Sequence, residues 1–450
     1  MLFPIFTCLG ALVILLLLLR RERVSLGLPL AYLSLLLLNH VPGAYAHVVG
    51  GAFLDGSDAT ATGIFFTAIG SVCFVAGVWL ARKKINSASI PSNINREPFS
   101  RFCLFGGWIF AIGLSFGEWI LAYGLSSVGR IPSLGAAIDK GSAVWMLGVM
   151  FGLRSALQHG KIRRAGLWGC ALLVYPVGTL LLAGFLSYGA AAIIIVASVL
   201  AISAASTSRV MIVGTCATFL ALALFVNYYA HRGEIRDAVW GGAPMEQRID
   251  AVLDIFRHFD WLNSTNTRQL VAMHERLNQN YFVGVAADRI EHGEVDYLYG
   301  QSVWEGIIAL VPRAIWPEKP VFGGSPKIVI EMTGLPLSEN TSWGVGNVME
   351  FQMNFGIPGL VVGFLLLGWL LGTLDQKAAE MDRSGEFHRV FFYFLPAAAL
   401  IQPLGSLVEL SGGAAAALVA AFGWSWLWAA WCRRRAARLP SSKTVRSRQS

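Results

Sequence analysis

Long runs of apolar residues, separated by short polar or charged stretches, dominate the pattern along the chain. A helix needs about 20 mostly apolar residues to cross the hydrocarbon core of a bilayer, and eleven runs approach that length. They lie near residues 2–19, 26–46, 60–80, 102–124, 134–153, 165–186, 188–206, 210–230, 354–374, 390–410 and 412–431. The pattern predicts an all-α polytopic membrane protein with eleven transmembrane helices.

One polar stretch interrupts this regularity between the eighth and ninth runs. The predicted organisation is residues 1–230 as transmembrane helices 1–8, residues 231–349 as one large loop, residues 350–432 as transmembrane helices 9–11, and residues 433–450 as a basic tail. A loop of this length is too long for a simple connector and usually carries function. We therefore expect the functional residues to lie mainly in this loop.

The placement of charges predicts the orientation of the chain, because loops retained in the cytoplasm are rich in Lys and Arg. With the N-terminus outside, the cytoplasmic segments hold 23 cations and six acidic residues, whereas residues 231–349 hold ten cations and 15 acidic residues. The large loop is thus predicted to be extracytoplasmic and the C-terminus cytoplasmic. The net charge of +8 follows from this topology, so it does not indicate nucleic-acid binding.

Amphipathic stretches divide the large loop. Residues 245–261 place apolar side chains at helical spacing, and this face is expected to pack on the membrane domain. Its apolar positions are Met245, Ile249, Val252, Leu253 and Phe256. Residues 270–280 have a similar stripe, and residues 302–311 are ten mostly apolar residues ended by Pro312. The last stretch is too short to span a bilayer, which predicts a re-entrant or interfacial helix.

A proline-rich turn with two cations, residues 312–320, follows that short helix. Its three prolines restrict the backbone and can hold Arg313 and Lys319 in place beside Trp316. Such a group suits an anionic headgroup, a phosphate or pyrophosphate, since Arg donates bidentate hydrogen bonds and Lys supplies a point charge. The same residue types also anchor loops at the headgroup layer. The spacing leaves both interpretations open.

Glu350 stands immediately before the apolar run of the ninth predicted helix, where a carboxylate is costly. It would be retained as a general base, or as one half of a salt bridge to Arg313 or Lys319 that ties the helix to the loop. Residue type and position do not decide between these roles.

Three further polar residues of the loop are candidates. His274 is a candidate acid or base, and Arg268 and Arg289 are candidate anion-binding residues, although a polar loop also carries His and Arg at ordinary surface positions. The chain lacks the GxxxxGK[ST], HExxH and CxxC patterns, so neither nucleotide hydrolysis nor a metal site is predicted.

Residues 297–320 and 340–359 together resemble the oligosaccharide repeat-unit polymerases, the Wzy-like O-antigen and exopolysaccharide polymerases of bacteria. In that family a Tyr-Gly pair precedes a short helix, a Pro-Arg with a downstream Lys-Pro follows, and a Glu opens the next span ahead of Phe-Gly-x-x-Gly. Here these positions are Tyr299, Gly300, Pro312, Arg313, Lys319, Pro320, Glu350, Phe355, Gly356 and Gly359. Many members of the family carry a Gly-Ser-Arg-like turn near the middle of the chain. The corresponding residues here, 184–189, contain no arginine. Arg268 and Arg289 are therefore the candidates for a second phosphate-binding arginine.

The resemblance implies glycosyl transfer on the outer face of the bacterial inner membrane. A growing glycan on undecaprenyl pyrophosphate would be moved onto a second lipid-linked repeat unit, without a cofactor. The implied partners are the lipid-linked oligosaccharide, the lipid bilayer, a chain-length regulator and a flippase. Two alternatives stay open: an O-antigen-ligase-like glycan transferase, and a transporter of lipid-linked or small anionic cargo.

The same resemblance assigns roles to individual side chains. Arg313 would stabilise the leaving pyrophosphate together with Lys319, and Glu350 or His274 would orient or deprotonate the acceptor hydroxyl. Tyr299 and Trp316 would contribute to substrate binding.

Overall fold

The structure, a computed structural model, describes residues 1–22, 24–50, 58–82, 95–109, 134–322, 324–336 and 343–438. Within these ranges every regular element is an α-helix. The helices are α1 (Leu2–Glu22), α2 (Leu28–Leu38), α3 (Val41–Gly50), α4 (Ala59–Ala81), α5 (97–109), α6 (Leu134–Ser142), α7 (Val144–Gln158), α8 (Ile162–Ala183), α9 (Ser187–Ser203), α10 (Thr207–Trp240), α11 (Met245–Arg257), α12 (Thr267–Leu277), α13 (Gln279–Glu291), α14 (Gln301–Ala309), α15 (Gly324–Thr333), α16 (Asn347–Ser384), α17 (Phe387–Leu400) and α18 (Leu407–Arg438).

Seven stretches of helix in the described ranges are long and apolar enough to cross a bilayer. They are Leu2–Arg21, Ala59–Ala81, Ala136–Gln158, Ile162–Leu182, Thr207–Trp240, Asn347–Ser384 and Leu407–Ala437. Many of their large apolar side chains are exposed, as expected for surfaces that face lipid rather than water. The protein is a helical, membrane-embedded protein.

Three of the other four predicted spans, which lie in the described residues, differ from a single long helix. Helices α9 and α17 contain 17 and 14 residues, or about 25 and 21 Å at 1.5 Å per residue, which is shorter than the hydrocarbon core. The fourth predicted span enters residues 110–124, which lie outside the described residues, as do residues 439–450 of the predicted tail. The total of eleven spans therefore stays a prediction.

The second predicted span, residues 26–46, is divided into α2 and α3 by the start of α13. The Gln279 backbone N–H donates to the Asn39 carbonyl (3.0 Å), and the Asn280 side-chain amide donates to the His40 carbonyl (2.7 Å). The Asn39 carbonyl accepts from a residue 240 positions away, whereas the His40 carbonyl also accepts from the Ala44 N–H of α3 (3.1 Å). Pro42 already disfavours one continuous helix here, because its ring would clash with the Leu38 carbonyl, and the contacts of α13 hold the carbonyls at the break.

The polar segment between α10 and α16, residues 241–346, packs on the apolar helices instead of forming a separate body. Helix α13 contacts α4 so closely that a Cβ atom on Gly284 would lie 1.8 Å from the Ala59 carbonyl oxygen, and one on Gly63 would lie 2.0 Å from the Asn280 carbonyl oxygen. Small residues allow backbones to approach in this way. Helices α12 and α13 therefore cover α3 and the Ala59 end of α4.

Helix α11 contacts α10 and α8, but only part of the apolar face that the sequence predicted to pack there is buried. Met245, Ile249, Leu253 and Phe256 are exposed, and the helix instead buries Ile255 against α10. Of the five apolar positions, only Val252 packs, partly buried, in this contact.

A buried ion pair fastens α4 to α16 at the end of the bundle opposite the polar segment. An Arg82 guanidinium nitrogen lies 2.9 Å from an Asp375 carboxylate oxygen, and their side chains are only 3% and 0% exposed. The same carboxylate accepts hydrogen bonds from the backbone N–H groups of Leu26 (2.9 Å) and Leu28 (3.1 Å). Asp375 thus joins α16, α4 and the connection that leads into α2.

Candidate functional site

Helix α16 is kinked near the end that joins the polar segment. Phe355 (φ −147°, ψ 23°) and Gly356 (φ 63°, ψ −146°) have non-helical backbone angles. Pro358 has no N–H group, and its ring would clash with the carbonyl of Asn354, four residues earlier, in a regular helix. Gly356 tolerates the positive φ that the kink requires. The kink frees the Met353 carbonyl, which accepts from the Leu298 N–H (2.9 Å).

The turn before α14 meets this kink. Tyr299 has a φ of 43°, a left-handed conformation that a residue with a bulky side chain rarely adopts. The Gly300 N–H donates to the Asn354 side-chain oxygen (3.0 Å), and the Asn354 amide donates to the Ser302 hydroxyl (2.7 Å) and to the Glu350 carbonyl (2.7 Å). One asparagine thereby joins the turn, α14 and α16. Strained backbone of this kind concentrates at functional sites.

An open cavity of about 550 Å³ lies between the turn and the kink. Its lining residues are Tyr297, Tyr299, Phe355, Gly356, Ile357 and Pro358. The two tyrosine rings meet edge to face with their centroids 6.1 Å apart, and Tyr299 is 72% exposed. The volume falls in the range of small-molecule sites, which are typically apolar and aromatic. Aromatic faces of this kind suit the apolar faces of sugar rings.

A buried carboxylate lies behind the turn, one helical turn before Asn354. Glu350 is fully buried, and one of its oxygens accepts from the Leu407 N–H (2.7 Å), with the Ser302 hydroxyl beside the carboxylate. Its other oxygen, Oε1, has no hydrogen-bond partner, and no described cation lies within ion-pair distance of the carboxylate. A buried carboxylate without a cationic partner is energetically costly, which makes it a functional candidate.

The cationic turn holds itself together through backbone carbonyls. The Lys319 ammonium donates to the carbonyls of Ala309 (3.3 Å) and Val311 (2.9 Å) at the end of α14, and Arg313 donates to the carbonyls of Lys319 (2.8 Å) and Pro320 (3.3 Å). Partial burial, and then the charge of Arg313, lower the pKa of Lys319. These carbonyls lie about 10 Å along α14 from Ser302, so the salt bridge to Glu350 that the sequence allowed is not formed.

An exposed apolar surface surrounds the cationic turn. Trp304 and Ile307 of α14 are exposed, as are Ile315, Trp316 and Val321 after it. Apolar residues with aromatic and cationic neighbours are typical of the membrane interface. This surface agrees with the interfacial helix that the sequence predicts.

The remaining sequence candidates do not line the cavity. Arg289 pairs with Glu294 (2.9 Å) and donates to the carbonyls of Glu331 and Met332 (both 3.1 Å) at the end of α15. Arg268 is exposed at the start of α12. His274 lies 3.0 Å from the Asn278 amide through Nδ1, and its ring is 6.5 Å from that of His47. These three residues occupy positions separate from the cavity lining.

Hydrogen bonds of Asn354 thus connect the turn at Tyr299 and Gly300 with Ser302 and Glu350. The cationic turn lies at the other end of α14. Sequence analysis did not single out Ser302 or Asn354. A polar amide four residues before a proline, at the start of an apolar run, was the available signal for Asn354. The described residues contain no group of three or more His, Cys, Asp or Glu side chains arranged to hold a metal ion.

Comparison with known proteins gives no independent assignment. No protein-family model, no curated protein and no solved structure matches the chain.

Proposed function

We propose that the protein is a membrane glycosyltransferase that polymerises lipid-linked oligosaccharide repeat units in O-antigen or exopolysaccharide synthesis. In this proposal the chain crosses the bacterial inner membrane eleven times, with the N-terminus and the polar segment on the periplasmic side. The donor is a glycan on undecaprenyl pyrophosphate, and the acceptor is a second lipid-linked repeat unit.

One observation carries the proposal: the two segments that resemble the polymerases, residues 297–300 and 355–359, meet at one aromatic-lined cavity. They are far apart in sequence and are joined by Asn354 and a strained backbone at Tyr299. Glu350, the carboxylate of the same motif, lies one turn away with an unpartnered oxygen. The candidate base therefore lies one helical turn from the cavity residues, and its buried carboxylate does not itself line the cavity.

The reaction assigns a step to each group. A hydroxyl oxygen of the acceptor attacks the anomeric carbon of the donor, the bond from that carbon to the pyrophosphate oxygen breaks, and undecaprenyl pyrophosphate leaves with the electron pair. Glu350 accepts the proton of the acceptor hydroxyl. Arg313 and Lys319 stabilise the charge on the leaving pyrophosphate. Tyr299 and Phe355 stack against the acceptor sugar.

This assignment requires movement of the cationic turn. The donor carbon is bonded directly to the pyrophosphate, whereas the Lys319 contacts lie about 10 Å along α14 from Ser302. Binding of the donor would therefore draw the turn toward the cavity and break the bonds from Lys319 to the carbonyls of Ala309 and Val311.

The test is deletion of the gene, followed by gel analysis of cell-surface and lipid-linked glycans in strains that carry variants. Glu350→Gln keeps the shape of the side chain but removes its basicity, so we expect single repeat units to accumulate while the protein level in the membrane is normal. Glu331→Gln, an exposed carboxylate on α15, is the matched control and should restore full-length polymer.

The deletion also separates the alternatives. Undiminished lipid-linked polymer in the deletion strain would indicate a ligase, and cytoplasm-facing intermediates would indicate a transporter. Full-length polymer made by Glu350→Gln would remove Glu350 from the mechanism. Normal chain length from both Arg313→Ala and Lys319→Ala would remove the cationic turn.

A further inference from the structure

Two arginines lie against one tyrosine ring at the end of the bundle that carries the polar segment. The guanidinium carbon of Arg232, on α10, is 3.9 Å from the centre of the Tyr229 ring. That of Arg276, on α12, is 5.9 Å from the same ring and 4.7 Å from the centre of the Trp343 ring. We call these four residues the arginine–aromatic cluster.

The protein supplies one nearby carboxylate, that of Glu275, for the two positive charges of this cluster. Both arginines are half-buried, they are close enough to repel each other, and no described carboxylate lies within 4.0 Å of either guanidinium. The neighbouring Glu275 instead accepts a hydrogen bond from the Tyr229 hydroxyl. The Nε atom of Arg276 is buried without a hydrogen-bond partner. Two like charges in a partly desolvated place are unfavourable unless an anion joins them.

The cation–π contacts by themselves do not use the guanidinium N–H groups, although Arg276 also shares a hydrogen bond with the Tyr229 hydroxyl. A guanidinium that lies over an aromatic ring uses its face for the cation–π contact, whereas its N–H groups point outward in its own plane. Those in-plane N–H groups are the ones that bind carboxylate and phosphate oxygens bidentately. The rings therefore position the arginines, and the Tyr229 hydroxyl occupies only part of the Arg276 donors.

We propose that the arginine–aromatic cluster binds an oxyanion, the phosphate or the carboxylate group of a substrate or lipid. The site is separate from the aromatic cavity, because Trp343 precedes α16 and Phe355 lies eight residues, about 12 Å, beyond the first residue of that helix. The inference does not rest on the proposed glycan transfer, since it concerns only the charge and the donors of the cluster.

The experiment is calorimetric titration of the purified full-length protein in detergent with two probes, inorganic pyrophosphate and glucuronate. We expect saturable binding that weakens as salt concentration rises. The variant Arg232→Gln/Arg276→Gln should lose at least about tenfold in affinity, or 1.4 kcal/mol, and Arg276→Lys should lose less. Arg257→Gln, which removes an exposed arginine paired with Asp254, is the matched control and should bind as the unaltered protein does.

The two probes distinguish the sources of the anion. Preference for pyrophosphate assigns the site to a phosphate group, and preference for glucuronate assigns it to an acidic sugar. Wild-type affinity in the double variant, or no saturable binding of either probe, would overturn the proposal.

A second measurement applies if the double variant does not fold. Phenylglyoxal modification of the unaltered protein, located by mass spectrometry, should slow at Arg232 and Arg276 when the preferred probe is present, but not at Arg257. Equal modification rates with and without the probe would contradict the site. If the protein binds a probe but the deletion strain makes normal glycans, the polymerase proposal is refuted and the proposed oxyanion site is not.

Discussion

Replacement of Asp375 by alanine is expected to cause a large loss of stability. Its carboxylate is fully buried and accepts three hydrogen bonds, from Arg82 and from the backbone N–H groups of Leu26 and Leu28. The alanine variant removes the buried carboxylate that lies 2.9 Å from the Arg82 guanidinium. Removal of one partner from a buried pair costs about 3–5 kcal/mol, much of it from the charge that is left behind.

The assay is unfolding of the purified protein in mixed micelles by titration with sodium dodecyl sulfate, followed by circular dichroism. Asp375→Ala should lower the free energy of unfolding by about 3–5 kcal/mol. The double variant Arg82→Met/Asp375→Leu should recover part of this loss, because no unpaired charge remains buried. A double-mutant cycle then measures the coupling between the two side chains.

An exposed ion pair provides the control. Arg101 and Glu97 lie 2.7 Å apart, but their side chains are 63% and 40% exposed. Glu97→Ala should therefore change the free energy of unfolding by at most about 1 kcal/mol. A loss from Asp375→Ala no larger than that of the control would refute the argument that burial makes this pair important.

Three other changes test the packing, the cationic turn and the strained turn. Gly284→Ala should strongly reduce the amount of folded protein measured by size-exclusion chromatography, because its Cβ atom would lie 1.8 Å from the Ala59 carbonyl oxygen. Gly166→Ala is the control and should be tolerated, because no atom lies within 4 Å of its Cβ. The pKa of Lys319 is lowered, so its amine loses its proton at lower pH in the folded protein. The amine should therefore react with an acylating reagent at lower pH in the folded than in the denatured protein, as followed by mass spectrometry. Equal pH profiles for the two states would contradict this. Tyr299→Gly should relieve the positive φ and raise the free energy of unfolding by up to about 1 kcal/mol while shortening the glycan; a stability loss above that size would mean that the ring matters more for packing than for binding.

Part of the candidate site could be predicted from the sequence. The Phe-Gly-x-Pro sequence at 355–358 encodes the kink, since the proline excludes a regular helix and the glycine permits positive φ. The sequence also predicted a short helix over residues 302–311, and the structure has a helix there, α14 at Gln301–Ala309. From the sequence, Arg313 and Lys319 were expected to be free to bind an anion. In the structure Arg313 donates to a carbonyl of the turn, and Lys319 donates to a carbonyl at the end of α14.

Hydropathy and charge by themselves determined that this protein is a membrane-embedded helical bundle with one large polar segment, because the cost of placing polar groups in lipid acts on each stretch separately. Only the tertiary structure decided which polar groups meet. The Asn354 side chain accepts a hydrogen bond from Gly300, and the Asn280 amide donates to the His40 carbonyl at the break in the second predicted span. Arg232 lies close enough to Arg276 for their charges to repel. Such contacts depend on how helices pack in three dimensions, and periodicity along one helix carries no record of its neighbours.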